Sequence, residues 1–97
     1  MEQQEKAIRD TQNHLILYYL TRAKTVAQRL ADQGHTIERI EMNGGRPVIW
    51  IQNTERCHEL DGAWYRREIG THGQHYTHQA IIDGCRVQWV SDYLATA

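Results

Sequence analysis

Three histidines fall within seven positions, His72, His75 and His78, and imidazole is the side chain best suited to proton transfer near neutral pH and to metal ligation. Cys57 is followed directly by His58, and Cys85 lies 28 positions further on. These donors are the right types for tetrahedral zinc, but no C-x-x-C pair supplies the spacing that assembles such a site. Two buried, reduced thiols and no metal are therefore expected. If 74–82 is a strand, alternation sends His75 and His78 to opposite faces, which separates them as shared ligands.

The same residues bound the catalytic options. Ser91 is the single serine and has no G-x-S-x-G context, so serine hydrolysis lacks its usual strand-to-helix elbow. Cys57 beside His58 offers a thiol and a base, but adjacency in sequence does not create nucleophile–base geometry. His75, His78, Arg66 and Tyr76 could serve a metal-free nuclease through acid–base catalysis and phosphate neutralisation. No phosphate-binding loop or dinucleotide fingerprint accompanies them, since Asn43-Gly44-Gly45 reads as a hairpin turn. No catalytic residue and no cofactor is assigned on these grounds.

The elements that must carry these residues begin with a helix. Taking 100° per residue from Leu15, Tyr19, Val26 and Leu30 share one face with Ala23 and Ala27. Asp10, Thr11 and Asn13 are candidate N-caps, with earlier residues able to add a frayed or continuous turn, and Gly34 is the natural C-terminal stop. From Thr11 to Gln33 the helix would run about 34 Å, longer than a six-residue strand of about 20 Å. After Gly34 the period becomes extended. Strands are expected at 36–42, 47–52, 63–69, 74–82 and 85–90, with a short helical turn at 54–60. Asn43-Gly44-Gly45 and Asp83-Gly84 suit primed hairpin turns, and Pro47 should open its strand or face an edge. The chain thus reads as one α+β domain over residues 1–97, a long N-terminal helix packed on an antiparallel β-meander of about five strands.

One helix covers one face of such a sheet. Alternation assigns Ile49, Ile51, Val87 and Trp89 to the helix side and Trp64, Arg66, Arg86 and Gln88 to the open side. Trp and Arg combine large contact area with directed hydrogen bonds and dominate interface hot spots, so these four are the candidate partner-binding residues. The competing reading is ordinary packing of amphipathic side chains on a sheet. Nucleic acid could use the same groups through stacking and phosphate contacts. Charge disfavours that use, because residues 35–97 hold six Lys+Arg against eight Asp+Glu and the whole chain has a formal net charge of -1.

The run GRPVIWI at 45–51, followed by Cys57, Leu60, Ala63-Trp64-Tyr65, Tyr76 and DGCRVQWV at 83–90, resembles small accessory proteins encoded by enterobacterial phages and prophages. The resemblance covers the C-terminal two-thirds. It implies a non-enzymatic protein that acts through protein–protein interaction, inhibiting or modulating a host factor, and it transfers no functional residue. The alternative is a nucleic-acid-binding regulator using the Arg/Trp sheet face. No run reaches the roughly 18 apolar residues of a membrane span, and the start MEQQEKAIRD is unlike a secretory signal. A cytoplasmic protein without membrane contact is expected.

One feature of the helix points to self-association. The consecutive residues Leu15, Ile16, Leu17, Tyr18, Tyr19 and Leu20 surround the helix completely, and a single sheet cannot cover them all. Leu17 and Tyr18 lie farthest from the core face and are the candidate homodimer contacts. Coverage by the C-terminal tail around Tyr93 and Leu94 is the competing expectation.

Overall fold

In the computed structural model, which describes residues 2–43, 45–60, 64–70 and 73–92, a single helix α1 (Glu2–Asp32) precedes five strands. These are β1 (Ile37–Asn43), β2 (Arg46–Ile51), β3 (Trp64–Gly70), β4 (Gly73–Ile82) and β5 (Cys85–Ser91), with a 3-10 turn at Glu55–Glu59 between β2 and β3. The α+β class, the one long helix and the five strands agree with the sequence reading. Ala63, His72, Tyr93 and Leu94 lie outside the described residues, so the expected tail contact does too.

The helix begins well before the expected caps. Asp10, Thr11 and Asn13 are interior helical residues, because Glu2 to Arg9 contains neither Gly nor Pro and its straight-chain residues propagate a helix readily. At the other end the chain stops where Gly34 allows it. Gly34 takes φ +95°, its N–H donates to the Ala31 carbonyl at 3.0 Å, and the His35 N–H reaches back to the Leu30 carbonyl at 2.9 Å. That pair of bonds is a Schellman motif, which satisfies carbonyls the helix end would otherwise leave open.

Strand order differs from a simple meander. The sheet runs β1-β2-β5-β4-β3: β1–β2, β3–β4 and β4–β5 are antiparallel, whereas β2 and β5 lie side by side in parallel, with Ile49 opposite Val87. Pro47 sits near the start of β2, before its parallel pairing with β5 begins at Val48, so its missing N–H costs that ladder nothing. At the β4–β5 turn Asp83 and Gly84 have φ of 48° and 82°. Positive φ at both central residues is the type I′ signature whose twist matches the paired strands.

Helix α1 packs on β1, β2 and β5. Val26 and Leu30 meet Ile49, Ile51, Val87 and Trp89, with Ala80, Cys57 and Cys85 completing the cluster. Each large apolar side chain buried there contributes about 1.5–3 kcal/mol. The assignment of Ile49, Ile51, Val87 and Trp89 to the helix side therefore holds. Only the C-terminal part of the helix takes part: Ala23, Val26 and Leu30 are its buried residues, and every residue from Glu2 to Tyr18 is exposed. A 31-residue helix is about 46 Å long against about 20 Å for β2, so its first half runs past the edge of the sheet.

Candidate interaction face

Register determines what stands on the side of the sheet away from the helix. Residues opposite one another in adjacent strands share a face. Arg39 pairs with Trp50, Trp50 with Gln88, Gln88 with Gln79, and Gln79 with Trp64. These five form one continuous row across all five strands. The flanking rows align Glu41, Val48, Arg86 and Ile81 on one side, and Val90, Thr77 and Arg66 on the other. All four sequence-derived candidates, Trp64, Arg66, Arg86 and Gln88, therefore occupy open-face positions in three neighbouring rows. Their residues come from β3 and β5, which β4 separates.

The geometry of individual groups follows from these neighbours. Gln88 Nε2 donates to Gln79 Oε1 at 3.0 Å, a cross-strand amide pair at the centre of the face. Arg39 stacks over the Trp50 ring, 4.5 Å from guanidinium carbon to centroid, and donates through Nε to Glu41 at 2.7 Å. The indole N–H of Trp50 reaches the second Glu41 oxygen at 3.4 Å. The Arg39 guanidinium holds the Glu41 carboxyl below the usual carboxylate range, and the Trp50 indole N–H adds to that effect. Arg66 is exposed. Arg86 is half-buried, and its Nε is enclosed without a hydrogen-bond partner among the described residues. Its cross-strand neighbours, Val48 and Ile81, are apolar and offer no acceptor.

Sequence reasoning did not single out the Arg39–Trp50–Glu41 group. Alternation already implied that Trp50 opposes Ile49, but the partners of Trp50 arise from β1–β2 register, which includes an irregularity between Ile37 and Arg39. A second arrangement that it did not single out also forms. His78 Nε2 and Ser91 Oγ share a hydrogen bond at 2.7 Å, and the His78 ring stacks on Trp89 at 5.3 Å with planes 1° apart. Burial, with the His58 charge adding to it, lowers the His78 pKa and so disfavours the charged ring. Ser91 is 6% exposed and lies on the helix side of the sheet with Trp89, where its hydroxyl is shielded from incoming molecules.

The other chemically competent groups are dispersed. His75 pairs with Glu68 and Arg66 with Thr77, while Tyr76 and His78 occupy the alternate positions of β4, so the nuclease constellation is split between the two faces of the sheet. Among the described residues no cluster of three or more His, Cys, Asp or Glu is placed to hold a metal ion. Cys57 and Cys85 are free and buried, and burial pushes both thiols up from their ordinary pKa, away from the reactive thiolate. Leu17 and Tyr18 are 61% and 49% exposed on the projecting half of α1. No helix among the described residues is long and apolar enough to cross a membrane.

No protein-family model, curated protein or solved structure matches this chain. The arrangement of its own side chains is what bears on function.

Proposed function

We propose that this protein is a non-enzymatic accessory protein of the phage or prophage type that binds a protein partner through the open face of its sheet and modulates a host factor. The observation that carries the reading is the row Arg39, Trp50, Gln88, Gln79 and Trp64, bordered by Arg66 and Arg86, on the side opposite the helix. Aromatic and arginine residues near the centre of a surface, mixed with amides that can exchange hydrogen bonds, match the composition of protein-interface cores. The protein acts as a homodimer held through α1, on whose projecting half Leu17 and Tyr18 are exposed.

The test is affinity capture from host lysate, followed by titration of the purified captured protein against wild type and a Trp64→Ala, Arg66→Ala double variant. Binding lost in a variant that melts like wild type supports the reading. A collapsed melting temperature with undiminished binding per folded molecule would assign these residues to packing. If the captured material is instead nucleic acid, the 260/280 nm absorbance ratio rises and affinity falls steeply with salt through counterion release. That outcome would replace the protein partner by the nucleic-acid regulator.

A further inference from the structure

The face of α1 that packs on the sheet does not end where the sheet ends. Ala23, Val26 and Leu30 are buried, and the same angular stripe continues toward the N-terminus through Tyr19, Leu15, Gln12 and Ile8 at spacings of four, three and four residues. Alternating steps of three and four are the a/d seam of a coiled coil. Leu15 and Ile8 on this seam are 50% and 67% exposed. From Glu2 to Tyr18 the helix is exposed all round, although helices in water owe most of their stability to a packed apolar face.

We propose that a second copy of this chain covers the seam, the two α1 helices forming a short antiparallel coiled coil with Ile8 packed against Tyr19 of the second copy and Gln12 against Leu15. This rests on the homodimer reading above and moves its contact from Leu17 and Tyr18 to the seam. The register follows from the seam itself, since antiparallel pairing places each a position beside a d position of the other helix, and these two layers repeat about a two-fold axis. Such an isologous contact closes with two copies.

Charge selects the antiparallel direction. The register brings Glu5 beside Arg22 of the second copy. More broadly, residues 2–10 carry net -1 (Glu2, Glu5 and Asp10 against Lys6 and Arg9), and residues 17–25, which this register sets opposite them, carry net +2 (Arg22 and Lys24). Antiparallel packing puts these unlike segments together, whereas parallel packing would set like beside like. From Glu5 to Arg22 the overlap is about 27 Å. Covering its seam and flanks buries roughly 500 Å² per copy, about the 1,000 Å² in total that a specific interface requires. In this arrangement Tyr18 borders the seam and Leu17 points away from it, and each sheet domain stands at one end of the helix pair with its open face unobstructed.

Sedimentation equilibrium at tens of micromolar should give about twice 11.4 kDa, and Leu15→Glu should give a folded monomer. Register is read by oxidation of cysteine variants under native conditions. Ile8→Cys combined with Tyr19→Cys should form covalent dimers, since two sites 11 residues apart in one helix are about 16 Å distant and cannot bridge within a chain. Ile8→Cys alone should not link. Linkage by Ile8→Cys alone would mean parallel helices and overturn the proposal. A dimer mass without linkage in the double variant would also overturn it while leaving the homodimer reading intact; a monomeric wild type would remove both. Should the cysteine pair disturb folding, Glu5→Arg should weaken association about tenfold and Arg22→Glu in the same chain should restore it. Failure to restore would overturn the register.

Discussion

Replacing Arg86 by Met separates a recognition role from a structural one. Arg86 is half-buried, its Nε has no partner among the described residues, and Val48 and Ile81 flank it across the strands. A buried donor left unsatisfied costs about 1–3 kcal/mol. Met keeps an unbranched apolar stem of similar reach and removes the donor, so the folded state should lose that penalty and retain the stem's packing. The expected stability change lies between about zero and a gain of 2 kcal/mol. In a domain of this size each kcal/mol moves the melting temperature by about 4–8 °C. Urea unfolding followed by tryptophan fluorescence should show an unchanged or higher midpoint with an unchanged slope, because the surface exposed on unfolding is nearly the same. Partner binding should fall at the same time. A loss of more than about 1 kcal/mol would refute the reasoning, since it would show that the guanidinium holds the sheet together.

Gly34→Ala should lower stability by about 1–2 kcal/mol in a thermal melt, because a Cβ there must adopt a left-handed backbone and would lie 2.9 Å from Arg56 Nε. Leu30→Ala, at the centre of the contact between helix and sheet, should cost about 2–5 kcal/mol by denaturant titration. His35 and His78 both have pKa values lowered chiefly by burial, so the unfolded chain takes up protons that the folded one refuses once pH falls below the ordinary imidazole value of about 6.5. Their neutral forms leave stability intact above that pH, and it should decline as pH drops from there through their folded pKa values; His35→Gln and His78→Gln should each flatten the decline in denaturant midpoints measured between pH 7.5 and 5.

What the sequence disclosed was what repeats locally. The helical phase of Ala23, Val26 and Leu30, the turn at Asp83-Gly84 and the alternation along β2 and β5 each depend on residues a few positions apart, so they were legible before any pairing was known. Alternation also sufficed to place Trp64, Arg66, Arg86 and Gln88 on one face. It could not order the strands. The parallel neighbours β2 and β5 are joined through a 3-10 turn and two further strands, and no short-range pattern records which edges meet after such an excursion. For the same reason the Arg39–Trp50–Glu41 group and the His78–Ser91 hydrogen bond were invisible, each being created by register between separate strands. The early start of the helix was missed differently: Asp10, Thr11 and Asn13 make good caps, but an interior helical position facing solvent accepts them at small cost.

The central claim is that the open sheet face, centred on Gln88, is where a partner binds. A photo-crosslinking side chain placed at Gln88, with a control at the exposed helix position Lys24, tests it most directly when each variant is irradiated with the captured partner and the adducts are mapped by mass spectrometry. The account predicts covalent capture from Gln88 and none from Lys24. Capture from Lys24 with none from Gln88 would contradict it, moving recognition to the helix and leaving the row of Trp, Arg and Gln side chains as surface packing.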